Sequence, residues 1–283
     1  MRIALEWDDR YSPRARLAER VSPRQDTPIN PMNFLTMLWK AINVFFAMNG
    51  LRLDSGRMLF AWIPLLGLSV WIAYYADENG HHIPFVIGTW LFYYGGISLI
   101  LGTNIKHFMM RKLGEEKALA VYDMICGVMF FNLGSGIGLA ALHEAEAFEL
   151  GPVLKWGLFT LLTVVGFGIK FWATWIVGAN TYYFRDLFLD RAHGDFTAAG
   201  PYKFLPNPMY GVGNFHAYCT AIVTGSAFGL WYAVACHIGI YGFYYIVEKP
   251  FIRRVYLSAL ITTCISAVTG FFLSKRTLFI PLA

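Results

Sequence analysis

The chain has 283 residues, of which 57% are hydrophobic and 14% are charged, whereas about a quarter of the residues in soluble domains are charged. This composition excludes an ordinary soluble globule and predicts an integral membrane protein. The net charge of +5 arises from basic residues in short segments between apolar runs, which favours interaction with lipid head groups and argues against nucleic acid as a partner.

The N-terminal region precedes any span. Residues 1–32 are polar and rich in arginine and proline, and they lack the apolar core of a signal peptide, so they predict a loosely ordered cytosolic tail. Residues 33–49 (NFLTMLWKAINVFFAMN) are typical of an amphipathic helix at the membrane interface. We predict that the tail and this helix together form a first region, residues 1–57.

Several apolar segments follow. Four are long enough to cross about 30 Å of hydrocarbon, at residues 58–75, 84–102, 118–142 and 152–178. Residues 212–247 contain no Asp, Glu, Lys or Arg and predict a hairpin of two spans that turns near residues 225–229. Residues 255–273 form either a further span or a helix folded back on the bundle. We therefore predict an all-α, polytopic membrane helical bundle of about 6 to 8 transmembrane helices.

The loops predict an orientation. Lys and Arg collect in alternate loops, whereas the loops at residues 76–83 and 143–151 contain none, so the basic loops and the N-terminus are expected in the cytosol. The hairpin then brings residues 200–213 and 248–254 to the same cytosolic face, where they can form one site. We predict an N-terminal bundle at residues 58–178 and a C-terminal region at residues 179–283 that contains this site.

The segment GPYKFLPNPMYGVG, residues 200–213, has an unusual composition for a chain entering a bilayer. Its prolines exclude a regular helix, and its glycines allow close approach of a ligand to the backbone. Irregular backbone at membrane depth is tolerated where it is buried in protein or lines a cavity. Tyr202, Phe204 and Tyr210 are candidate walls of such a cavity. The alternative is a proline-rich elbow that turns the chain into the hairpin.

A second segment, VEKPFIRR at residues 247–254, places a carboxylate at the end of the hairpin. The carboxylate of Glu248 beside an apolar span is costly unless it is paired. A bound cation is one partner, and Arg253 or Arg254 is another. The alternative is a glutamate that reaches the interface and pairs with a nearby arginine.

Other polar features predict structure rather than chemistry. His81, His82 and His143 lie in loops without the spacing of a metal site, and we predict no metal. Asp123 inside a span is either functional or hydrogen-bonded within the bundle. The glycines of NLGSGIG, residues 132–138, predict close helix packing.

Together the two segments resemble a known family. Gly-Pro-Tyr, Asn-Pro-Met-Tyr and Gly-x-Gly, followed by a hairpin and then by Glu with Pro and basic residues, is similar to the superfamily of phospholipid methyltransferases and isoprenylcysteine carboxyl methyltransferases. The residues Asn-Pro-Met-Tyr-Gly and Glu-Lys-Pro resemble the phosphatidylethanolamine N-methyltransferase branch more than the prenylcysteine branch. Two positions depart from the family pattern: Asn207 stands where many members have histidine, and Lys249 stands where many have a second glutamate.

The resemblance implies an enzyme that binds S-adenosylmethionine from the cytosol and takes a phospholipid acceptor from the bilayer. The predicted cofactor-binding residues are Gly200, Tyr202, Asn207, Pro208, Tyr210, Gly211, Val212, Gly213, Glu248, Lys249 and Arg253. In this arrangement Glu248 would bind the amino group of the cofactor, Arg253 or Arg254 its carboxylate, and Tyr202 or Tyr210 its adenine or sulfonium.

Methyl transfer to an amine requires alignment, exclusion of water and a deprotonated acceptor. We predict Glu248, Tyr210 and His216 as the candidate catalytic residues, with Glu248, His216 or a water as the base. The expected acceptor is the amine of phosphatidylethanolamine, on the pathway to phosphatidylcholine.

Other functions remain open from the sequence. They are carboxyl methylation of a prenylated cysteine or another amphiphile, an NADPH-dependent reductase of the sterol-reductase kind, and a transporter or scaffold without catalysis. Since the chain closes in TLFIPLA without a retention signal, a bacterial inner membrane is the preferred location and the endoplasmic reticulum the alternative.

Overall fold

A computed structural model describes residues 31–192 and 199–257. Across these ranges the chain is helical and has no strand, which confirms the all-α prediction. Two compact units divide the chain, Met1–Lys40 and Ala41–Ala283, and the helices from Leu59 onward and the candidate site belong to the second. The predicted tail and most of the predicted segment at residues 255–273 lie outside the described residues.

The α-helices are numbered in chain order. They are α1 (Pro31–Met48), α2 (Leu59–Glu78), α3 (His82–Trp90), α4 (Gly96–Gly102), α5 (Ile105–Leu113), α6 (Glu115–Leu142), α7 (Pro152–Leu162), α8 (Gly168–Tyr182), α9 (Arg185–Leu189), α10 (Cys219–Thr224), α11 (Ala227–Phe243) and α12 (Lys249–Ile252). Short 3-10 helices occupy Leu53–Met58, Gly200–Lys203 and Val212–Tyr218, and π-helical turns occupy Leu91–Gly95, Thr163–Phe167, Tyr244–Glu248 and Arg253–Leu257.

Five helical stretches of the described chain are long and apolar enough to cross a membrane. They are Leu53–Glu78, His82–Gly102, Glu115–Leu142, Pro152–Leu189 and Ala227–Tyr256. The first four contain the four spans predicted from the sequence, and the protein is an integral membrane protein. The fourth stretch is bent at Gly178, whose φ of 83° leaves the helical region.

The predicted hairpin differs from expectation in its first arm. Its turn lies where the sequence placed it, at Gly225 with a φ of 69°. The first arm, however, consists of the 3-10 helix Val212–Tyr218 and the six residues of α10, and it falls short of a span. The prolines before Tyr210 and the tight turns at Gly211 and Gly213 delay the start of the α-helix, which leaves too few residues.

Helix α6 is the centre of the bundle and packs against α2, α3, α5 and α11. Small residues make this possible. An added Cβ at Gly127 would lie 2.3 Å from the Trp62 ring, and one at Gly136 would lie 2.3 Å from Thr89 Oγ1. Close packing predicted from the glycines of residues 132–138 is therefore confirmed at Gly136.

Asp123 on α6 belongs to a buried ion network. Arg185 forms an ion pair with its carboxylate, with Nε 3.0 Å from Oδ1, and Arg52 Nη1 lies 3.6 Å from Oδ2. The side chains of Asp123 and Arg52 are each 3% exposed. Arg52 also donates to Asp54 at 2.6 Å and to Asn180 at 3.0 Å. These contacts agree with the prediction that Asp123 is bonded within the bundle, which was the alternative to a functional role.

Substituting Asp123→Asn should lower the free energy of unfolding by about 3 to 5 kcal/mol, because the buried Arg52 and the partly buried Arg185 lose their shared counter-ion. Thermal unfolding of the purified protein in detergent measures the loss. The matched control is Asp77→Asn, an exposed carboxylate 2.9 Å from His82, which should leave the melting temperature nearly unchanged. Equal melting of both variants would contradict a stabilising role for the network.

Candidate active site

The two sequence motifs meet at a hydrogen bond between Tyr210 and Glu248. Tyr210 ends the proline-rich loop, and Glu248 lies in the π-helical turn that follows α11. The Tyr210 hydroxyl donates to Glu248 Oε2 over 2.7 Å. Segments separated by the whole hairpin are thus joined at one point, as predicted from the topology.

Aromatic rings surround this pair. The ring of Tyr210 packs edge-on against Tyr244 at 6.1 Å. Burial, and next the adjacent Glu248 carboxylate, hold the pKa of Tyr210 well above its usual range. Tyr210 therefore remains protonated and serves as a donor to Glu248 rather than as a base.

Tyr202 lies near the same carboxylate. Burial first, and then the charge of Glu248, raise the pKa of its phenol. Its hydroxyl is buried and has no hydrogen-bond partner among the described residues. A buried polar atom in this position is costly unless a ligand satisfies it.

The Gly-x-Gly turn is closed by protein atoms. Gly213 N–H donates to the carbonyl of Pro208 at 2.8 Å, and Gly211 N–H donates to that of Asn207 at 3.0 Å. A Cβ on Gly213 would lie 2.6 Å from the Pro208 oxygen and 3.2 Å from Lys170 Cβ. Packing within the protein explains why glycine is needed at Gly213, whereas cofactor binding by Gly211, Val212 and Gly213 stays a prediction.

Two histidines support this turn. His216 Nδ1 donates to the Gly213 carbonyl at 2.8 Å, since a carbonyl can only accept, and the other ring nitrogen of the neutral imidazole is then an acceptor. His237 on α11 was not predicted from the sequence. Its Nε2 donates to the Gly211 carbonyl at 3.1 Å, and its Nδ1 accepts from Tyr218 at 2.9 Å.

The basic residues after Glu248 have separate surroundings. Lys249 Nζ lies 4.7 Å from the centre of the Tyr245 ring. Arg254 forms an ion pair with Asp190, which also accepts from Lys106 at 3.2 Å. Arg253 is exposed, and no carboxylate of the described chain lies within ion-pair distance of it. Of the two arginines considered for the cofactor carboxylate, Arg253 is the one without a competing partner in the described residues.

A cavity of about 510 Å³ adjoins Tyr210. Much of its lining is apolar or aromatic, including Tyr93, Phe130, Phe167, Met209 and Ile240. Its polar lining includes Lys170, Tyr210, Asn214 and His216. His216 thus shares a cavity with Tyr210, whereas Glu248 is bonded to Tyr210 without lining this cavity.

These residues fit a sulfonium amino-acid cofactor. The site offers a carboxylate to an amino group, aromatic rings to a sulfonium or adenine, and the unsatisfied Tyr202 hydroxyl to a polar atom. Gly200 has a φ of 59°, which fixes the turn that carries Tyr202.

Comparison with known proteins agrees with this fit. Residues 156–259 match the family model for phospholipid methyltransferases. This range contains both motifs, and the predicted resemblance is confirmed over it. No solved structure matches the chain.

Three fungal proteins named phosphatidylethanolamine N-methyltransferase are similar to this chain. The one from Schizosaccharomyces japonicus is 31% identical over 104 residues, covering 37% of this chain and 12% of that protein. The one from Aspergillus fumigatus is 23% identical over 183 residues, covering 64% and 17%. The one from Schizosaccharomyces pombe is 30% identical over 95 residues, covering 34% and 10%. The chain thus spans less than a fifth of the length of these relatives.

Proposed function

We propose that this chain is a membrane methyltransferase that uses S-adenosylmethionine to methylate the amine of phosphatidylethanolamine, on the route to phosphatidylcholine. The observation that carries the proposal is the Tyr210–Glu248 hydrogen bond, which joins the two motifs inside the matched range. The names of the similar proteins favour an amine acceptor over the carboxyl group of a prenylated cysteine.

The cofactor supplies an electrophilic methyl group, and the chain binds and orients it. Glu248 would accept hydrogen bonds from the amino group, held in place by Tyr210. Arg253, exposed beside the hairpin end, would pair with the carboxylate. Tyr202 and Tyr210 would present ring faces or a hydroxyl to the remaining polar and cationic atoms.

The acceptor amine must be neutral to attack. His216 donates its Nδ1 hydrogen to Gly213, which leaves its Nε2 as an acceptor in the cavity. Burial first, and then the charge of Lys170, lower the pKa of His216 to about 3, so it is a weak base. Glu248 or a water remains an alternative base. The aromatic and aliphatic residues of the cavity wall would limit the access of bulk water to the amine.

The location and domain limits follow from the same proposal. The similar proteins are fungal, so the endoplasmic reticulum replaces the bacterial inner membrane as the proposed location. The acceptor lipid would enter from the bilayer.

We place the catalytic region at residues 179–283, preceded by a bundle at 58–178 and an interfacial region at 1–57, although the family match already begins at residue 156.

Purified protein in detergent, given methyl-labelled S-adenosylmethionine and phosphatidylethanolamine, should produce labelled N-methylated phospholipid. A prenylated cysteine tested in parallel should receive no label, because the proposed acceptor is an amine. Label on the prenylated cysteine alone would favour the carboxyl methyltransferase alternative. A well-folded protein that neither binds S-adenosylmethionine nor transfers label would contradict the proposed function.

A further inference from the structure

Lys170 places a cationic side chain in the cavity beside Tyr210. It lies within the fourth membrane-crossing stretch, on α8, and lines the cavity together with Asn214 and His216. Its backbone is fixed tightly, since a Cβ on Gly213 would lie 3.3 Å from Lys170 Cα. The Gly-x-Gly turn and Lys170 are therefore held in one relative position.

Two hydrogen-bond donors that line the cavity have no bonded acceptor among the described residues. Within residues 31–192 and 199–257, the Lys170 ammonium has no ion pair or hydrogen bond. Asn214 Nδ2 is buried and also has no partner among those residues. A buried amide donor without a partner is costly, and an ammonium that faces a cavity without a counter-ion favours an anion there. An anion with several acceptor oxygens would satisfy both groups.

The depth of Lys170 suits a lipid head group. At 1.5 Å per residue, Lys170 lies about 27 Å along the helical stretch from Pro152, and the hydrocarbon layer is about 30 Å thick. A stretch that enters the membrane at Pro152 thus brings Lys170 close to the opposite interface. The backbone is then about 3 Å short of the head-group layer, a distance that the flexible lysine side chain can reach across.

The cavity also opens to the side of the bundle. Gly134 on α6 and Thr220 on α10 both line it and are both exposed. An opening between two helices of a membrane protein gives an amphiphile a route from the bilayer, with its polar end in the cavity and its chains outside.

We propose that Lys170, assisted by Asn214, binds the phosphodiester of the acceptor phospholipid and so positions its amine. The inference rests on the proposed function, which requires a phospholipid acceptor. The other source of an anion is the carboxylate of S-adenosylmethionine, which shares the same chemistry. Arg253 is available for that carboxylate, so the phosphodiester is assigned to Lys170.

The test measures the binding of three ligands to the wild type and two variants. Wild type, Lys170→Met and Lys170→Arg are titrated with short-chain phosphatidylethanolamine, with a diacylglycerol aminoethyl ether that lacks the phosphodiester, and separately with S-adenosylmethionine. Lys170→Met should weaken phosphatidylethanolamine binding about 10- to 100-fold, the loss typical of a charge-assisted hydrogen bond. It should leave binding of the ether and of S-adenosylmethionine within about twofold, and Lys170→Arg should restore much of the lipid affinity.

The control is Lys155→Met, the same substitution on α7 in the same stretch, which should leave all three affinities unchanged. Equal phosphatidylethanolamine binding by wild type and Lys170→Met would overturn the inference while leaving methyl transfer by the wild type as evidence for the proposed function. Weakened S-adenosylmethionine binding alone would assign Lys170 to the cofactor carboxylate and also overturn it. A wild type that binds neither lipid nor cofactor would overturn both proposals.

Discussion

Substituting Glu248→Gln should weaken S-adenosylmethionine binding about 10- to 100-fold, because a carboxylate that receives a cationic amino group is replaced by a neutral amide. Methyl transfer at subsaturating cofactor should fall by at least the same factor. Glutamine has the same shape, and its carbonyl oxygen can still accept the hydrogen bond that Tyr210 donates at 2.7 Å. The fold should therefore persist while the charge is lost. Isothermal titration in detergent measures the affinity, and a labelled-methyl assay measures the transfer.

A matched control separates charge at the site from charge elsewhere. Glu78→Gln makes the same change at an exposed position at the end of α2 and should leave both affinity and transfer unchanged. Normal cofactor binding by Glu248→Gln would show that the carboxylate acts only as the partner of Tyr210. That result would favour the non-catalytic scaffold, because a scaffold does not require a negative charge at residue 248.

Much of the fold could be predicted because a bilayer simplifies the problem. Backbone groups in hydrocarbon must be satisfied within a helix, so long apolar stretches with few charges are sufficient to identify four spans. The prediction that the first arm of the hairpin is a membrane span was wrong, and the reason lies in the local backbone. Residues 212–224 are as apolar as a span, but the chain leaves the turn at Gly211–Gly213 in a 3-10 helix and reaches α10 late. Composition does not report such geometry.

The site was predicted in part. The hairpin topology was enough to bring Tyr210 and Glu248 together. Lys170 could have been identified as a candidate functional residue, because it is a charged residue inside an apolar span. Its neighbours in the sequence do not indicate that it faces the Gly-x-Gly turn. His237 is harder to predict, because a histidine in a charge-free segment is typical of ordinary packing. Its contact with Gly211 depends on how α11 packs against the loop.

Substituting Gly213→Ala should lower methyl transfer about 100-fold and the free energy of unfolding by about 1 to 3 kcal/mol. The φ of Gly213 is not positive, so alanine is allowed by the backbone and the cost comes from space. The new Cβ would lie 2.6 Å from the Pro208 carbonyl oxygen and 3.2 Å from Lys170 Cβ. Backbone must move to relieve the first contact, and displacement of the loop by about 1 Å is enough to misalign a reaction.

Gly168→Ala is the comparison that isolates this effect. Gly168 begins α8, two residues before Lys170, and an added Cβ there would meet nothing within 4 Å. Alanine in a helix should raise stability by about 0.5 to 1 kcal/mol and leave transfer unchanged. Thermal unfolding and the labelled-methyl assay are measured on both variants. Full activity in Gly213→Ala would mean that the loop adapts without moving Tyr210, and the contact between α8 and the Gly-x-Gly turn would then be packing without a catalytic consequence.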